Sequence, residues 1–171
     1  MRIWVVVFVA FVLPAHPATA QAAPMRDALL DRLVGEWVLA GTIAGNSTTH
    51  DVSADWVLGH QYVRTYEVSR ERDRTGAAIY EALVLVSRDP DTGRYGCLWI
   101  DNTGGGKLLP EAIGYGVASG DSIPFLFHDP SGGAFHTTFV YDAGTDRWEW
   151  HMDGEQNGTL QPFARVTLTR K

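Results

Sequence analysis

The side chains of this chain that could do chemistry are scattered, and few of them sit where a reaction would need them. His136 lies in the middle of a strand-like run and Asp101 ends another, so these two are the candidates for moving a proton. His151 shares an alternating face with Glu149 and Asp153, a set of types a metal uses. The opposite face carries Trp148, Trp150 and Met152, so the polar trio is expected to face solvent and no metal site is expected. His60, in a turn beside Gly59, and His128, at a strand end before Asp129-Pro130, read as surface positions. Cys97 is the only cysteine; inside an apolar run it reads as a buried, inert thiol and excludes an intramolecular disulfide. There is no Gly-x-Ser-x-Gly elbow. Gly104-Gly105-Gly106-Lys107 fails as a phosphate loop, because Asp101 stands where the upstream glycine belongs and Leu108 where a metal-holding hydroxyl belongs.

Residues suited to binding are more abundant. Tyr62 and Tyr66 alternate on one strand face with Arg64 between them; Phe125 and Phe127 form a second stripe, Phe135, Phe139 and Tyr141 a third, and Trp148, Trp150 and Met152 a fourth. Stripes of this kind, turned inward, make an aromatic pocket with a few polar tips. The candidate ligand contacts are Tyr62, Arg64, Tyr66, Tyr80, Trp99, Phe127 and Trp150. Arg64 is a lone charge on a mostly apolar face, so it calls for a partner: the anionic head of a ligand held in its fork, a protein acid, or solvent at a rim. A packed core uses the same residues as a cavity wall, and pattern alone leaves both open.

The elements that must position these residues are almost all strands. Asp27 to Val34 is the one convincing helix, with Ala28, Leu29, Leu33 and Val34 on a common face, Asp27 as its cap and Gly35 as its stop. Beyond it the hydrophobic period falls to two, and turn signals recur about every eight to twelve residues. Asp73-Arg74-Thr75-Gly76 and Asp89-Pro90-Asp91-Thr92-Gly93 are the clearest hairpin turns. About ten strands result, from Trp37–Ile43 to Gln161–Arg170, joined by successive hairpins, with a Gly-rich lip at residues 102–107. Short antiparallel strands without helical cover remove their edges by closing, so the predicted fold is all-β: a closed antiparallel up-and-down barrel with a short N-terminal helix. A barrel of this size holds one small ligand, whereas a sandwich fills its middle.

Residues 1–20 are set apart from this fold. Arg2, the apolar run from Ile3 to Leu13 and Ala18-Thr19-Ala20 compose a secretory signal peptide, leaving one domain over residues 25–171. The apolar run falls short of the roughly twenty residues of a membrane span, so no permanent membrane anchor is expected. A formal charge of −6 without basic runs excludes nucleic acid as a natural partner. The predicted location is outside the cytoplasm, in a bacterial periplasm. Nothing in the sequence speaks to oligomeric state.

Gly35-Glu36-Trp37, following the helix and opening the first strand, resembles the calycin signature of lipocalins and their relatives. Trp56-Val57-Leu58-Gly59, Tyr80-Glu81-Ala82 and the block from Asp89 through Tyr95 to Gly104 are similar to a bacterial, secreted, lipocalin-like family of unknown function. The resemblance implies a barrel whose closed end is clamped by a last-strand basic residue over the first-strand Trp. Alternation places Arg170 on the face of Ala164, Val166 and Leu168, so Trp37 and Arg170 are the expected clamp. Some related barrels ligate haem through one inward His, but Val38-Leu39-Ala40 replaces their longer Gly-rich motif; no cofactor is expected. The leading expectation is a binder of a small hydrophobic or amphipathic molecule. The alternatives are a cofactor-free isomerase or cyclase working in the same cavity, and a structural or interaction protein with a filled barrel.

Overall fold

The computed structural model describes residues 22–128 and 132–171; the expected signal peptide and Asp129-Pro130 lie outside the described residues. Helix α1 (Ala28–Leu33) precedes ten strands: β1 (Gly35–Ile43), β2 (Asn46–Val57), β3 (Tyr62–Ser69), β4 (Glu81–Arg88), β5 (Tyr95–Asp101), β6 (Ile113–Gly116), β7 (Ser122–His128), β8 (Ala134–Asp142), β9 (Arg147–Gln156) and β10 (Thr159–Arg170). Each strand pairs antiparallel with its sequence neighbours, and β1 pairs with β10, from Trp37 opposite Arg170 to Ile43 opposite Ala164. The sheet is thus a closed up-and-down barrel of lipocalin-like topology, as the turn spacing implies. No helix among the described residues is long and apolar enough to cross a membrane.

One end of the barrel is sealed by α1. Asp27 caps the helix, its Oδ1 accepting from the backbone N–H of Leu29 (3.0 Å) and Leu30 (2.9 Å), while its Oδ2 accepts from the buried Tyr95 hydroxyl at 2.6 Å. Leu29, Leu30 and Leu33 point into the barrel. The carbonyls that the helix end leaves over find donors from three strands. Trp37 Nε1 donates to the Leu33 carbonyl at 2.8 Å and Trp148 Nε1 to that of Arg32 at 3.3 Å. Arg170 donates to the Val34 carbonyl at 2.9 Å and the Arg32 carbonyl at 3.2 Å, and its guanidinium carbon lies 4.0 Å from the centre of the Trp37 ring. Gly35 sits at φ +141°, a backbone conformation that other residues adopt only with strain, and a Cβ there would also push Arg170 Nη1, 2.2 Å away, out of the clamp.

Above this seal comes a packed layer. Trp37, Phe125, Phe139, Trp148 and Trp150 are all essentially inaccessible, and Phe139 stacks on Trp150 at 4.3 Å between ring centres. Each such side chain contributes about 1.5–3 kcal/mol of burial, so this layer anchors the fold. The wall is least continuous between β6 and β7, which meet in the single register pair Tyr115 opposite Leu126. Gly116 allows that approach, since a Cβ there would meet the Pro124 carbonyl oxygen at 1.6 Å.

Candidate ligand cavity

Because β1 starts at the sealed end, the β1–β2, β3–β4, β5–β6 and β9–β10 connections lie at the other end, together with His128 at the end of β7 and Ala134 at the start of β8, and there the barrel opens. The interior is not filled there: a cavity of about 640 Å³ occupies the open half. Its volume falls in the range of about 300–1,000 Å³ usual for small-molecule sites. Leu39, Phe127, Phe135, Met152, Phe163 and Val166 form an apolar wall. Across from it stand polar side chains from β2, β3 and the β3–β4 and β5–β6 connections.

The polar side is organised around His50. Its Nδ1 pairs with Glu67 Oε1, both side chains being at most 3 % exposed, and its Nε2 lies 2.7 Å from Thr48 Oγ1. Thr48 Oγ1 in turn donates to Glu71 Oε2 at 3.3 Å, and the Thr49 N–H donates to Glu71 Oε1 at 3.2 Å. Glu71's own backbone N–H, followed by these Thr contacts and the nearby His50, holds its carboxyl below the usual range. Three contacts in a row need three protons. With Thr48 donating to Glu71, His50 Nε2–H donates to Thr48 and a single proton lies between His50 and Glu67, so that pair is neutral as a unit. This direction leaves the Thr48 hydroxyl as an acceptor from His50, the opposite of what nucleophile activation requires.

Tyr80 covers this array, its ring stacked on His50 at 5.5 Å. The Tyr80 hydroxyl accepts from Trp99 Nε1 at 3.1 Å and faces Asp101 Oδ2 at 3.5 Å. Burial, then the Glu67 charge, pushes its phenol well above the ordinary range, so it stays protonated and acts as a neutral donor. Asp101 Oδ1 caps the following turn, accepting from Thr103 N (2.8 Å), Thr103 Oγ1 (2.6 Å) and Gly104 N (3.2 Å).

The structure brings together some of the residues named from sequence and separates others. Tyr80, Trp99, Phe127 and Asp101 all line the cavity. Trp150 lies one layer below, fully buried between Phe139 and Trp99. Tyr62, Arg64 and Tyr66 require a correction. They stand on the outer face of β3, with Arg64 Nη2 2.9 Å from Asp55 Oδ1 and the Tyr66 hydroxyl donating to Glu81 Oε2 at 3.1 Å. The inner face of β3 is Val63, Thr65, Glu67 and Ser69, all buried. His136 is likewise outside, 2.9 Å from Glu155 Oε2, because Phe135 and Thr137 take the inward positions of β8. His151 pairs with Glu149 on the outer face at 3.2 Å.

His50 and Glu67 escaped the sequence reading, although a signal for them exists. The inward set of β2 is legible as His50, Val52, Ala54 and Trp56, and the β2–β3 hairpin sets Val57 opposite Tyr62. Directly opposed residues share a face, so Val52 carries Glu67 inward with it. Among the described residues no three His, Cys, Asp or Glu side chains gather as a metal set. The chain matches no family model, and no curated protein matches it. What fold and site define together is a lipocalin-like barrel, sealed at one end, with an open-mouthed, half-polar cavity at the other.

Proposed function

We propose that the protein binds a small amphipathic molecule in this cavity. The observation that carries the reading is the asymmetry of the cavity: about 640 Å³ with an apolar wall facing a hydrogen-bonded polar one, in a barrel whose other half is solid. Such a division orients a ligand, its apolar body toward Phe127, Phe135 and Met152 and its polar end toward Tyr80, Glu67 and Asp101. Of the two proton-moving residues that the isomerase or cyclase alternative drew from the sequence, His136 lies outside the barrel and Asp101 is engaged in its turn. The leader-like residues 1–20 support secretion to a periplasm, and the Tyr95–Gly104 block supports kinship with the bacterial lipocalin-like family.

Titration with Nile red, a neutral apolar dye, tests the reading directly. Saturable one-site binding is expected in the parent protein, and loss of it in Ala112→Trp, which places an indole at the mouth. Absent or non-saturable binding, or binding that Ala112→Trp leaves unchanged, overturns it.

A further inference from the structure

The polar wall of the cavity carries more acceptors than donors. Four carboxylate side chains line it, Glu67, Glu71, Asp101 and Glu111, and among the described residues no Lys or Arg does. Glu71 is occupied by Thr48 and Thr49, and Asp101 by its turn and Tyr80. Two oxygens are left over: Glu67 Oε2 and Glu111 Oε2 are buried and have no hydrogen-bond partner among the described residues. Glu67 is the decisive one. Its side chain is 2 % exposed, so bulk water does not satisfy it, and its other oxygen is already committed to His50. A buried acceptor in this state is costly until a donor arrives.

We propose that the ligand's polar end is a protonated amine, with its N–H groups on Glu67 Oε2 and, nearer the mouth, Glu111 Oε2. An ammonium brings three donors and no acceptor, matching what the wall lacks. Its charge meets Glu71, Asp101 and Glu111 without a competing Lys or Arg, while Glu67, paired with His50, contributes Oε2 as an acceptor; the ring faces of Tyr80 and Trp99 add cation–π attraction. An acidic head group, one of the three partners open to Arg64 from the sequence, has no Lys or Arg inside the cavity to receive it, because Arg64 is outside and takes the protein acid Asp55 as its partner.

This inference rests on the small-ligand reading, and one calorimetric series separates the two. Octylamine, octanol and octanoate share a tail and differ in the head. Octylamine is expected to bind about tenfold or more tightly than octanol, with octanoate weakest. Glu67→Gln and, separately, Glu111→Gln are expected to erase most of the amine's advantage over octanol, the two heads being compared within each variant. Glu67→Gln also disturbs His50, so Glu111→Gln, on the turn at the mouth, provides the independent variant. Equal affinity across the three heads, tighter octanoate, or an amine preference that survives both variants overturns the amine assignment and leaves the cavity reading standing. Binding of none of the three overturns both.

Discussion

His50 and Glu67 meet diagonally across the β2–β3 ladder, His50 lying opposite Ser69 and Glu67 opposite Val52, so that both are inside the barrel and neither reaches solvent. A diagonal inward pair of this kind has no water to fall back on. Each partner exists in the interior because the other does.

Removing one partner is therefore expected to cost far more than removing both. His50→Leu and Glu67→Met should each destabilise by about 3–5 kcal/mol, since each strands an uncompensated polar group. The double variant should recover much of that loss. Urea denaturation of all four proteins measures it; additive losses would mean that the two side chains are not coupled.

Arg170 joins α1, β1 and β10, contacting the Trp37 ring, two helix carbonyls and Asp146 Oδ2 at 2.8 Å. Arg170→Ala is expected to cost about 2–3 kcal/mol in urea denaturation. Arg170→Lys should recover only part of it, because a point charge does not reproduce the planar fork. Full recovery by Lys would reduce the clamp to simple charge.

Acid should weaken the same end of the molecule. The Arg170 guanidinium, then the Tyr141 hydroxyl, holds the Asp146 carboxyl below its ordinary range. A folded-state pKa below the unfolded value near 3.9 adds stability above that pH, which is lost as the pH falls through the folded value. The stability gap between the parent and Asp146→Asn is thus expected at neutral pH and should close as the pH drops below about 4. A gap independent of pH would count against the ion pair.

Cys97 is fully buried on β5, and burial pushes its thiol far above the usual value. The native protein should resist Ellman's reagent at neutral pH and react fully in urea. Because the unfolded thiol ionises first, stability should also decline as pH rises past about 8.5. Rapid labelling of the native state would place the thiol at the surface.

The strands were legible because their punctuation is local: Asp73-Arg74-Thr75-Gly76 and Asp89 to Gly93 specify turns whatever lies around them. The clamp on Trp37 came from the resemblance to calycins, and Arg170 could be chosen for it over Arg165 because alternation along β10 is unambiguous where one face is solid core. The face of β3 was misread because hydrophobicity inverts in the open half of the barrel. There the inward residues Thr65, Glu67 and Ser69 are polar and line or adjoin a cavity, while Tyr62 and Tyr66 lie on the outer wall, 38 % and 42 % exposed. Single-strand patterning assumes that inside means apolar. Registering β3 against β2 and β4 makes no such assumption, and it would have turned Glu67 inward with Val52 and Ala82.

The helix that seals the barrel also gathers its ends. Met25 N–H donates to the His60 carbonyl at 2.8 Å, on the β2–β3 turn, and the Lys171 N–H donates to the Glu36 carbonyl at 3.0 Å, so α1 and the end of β10 share the sealed pole. A tether, fusion partner or immobilising tag joined directly before Met25 or after Lys171 therefore starts from the pole opposite the mouth. The described turns at the mouth lie away from that pole, and a sensor built on this barrel can be fixed to a surface by its tail with its opening facing the solution.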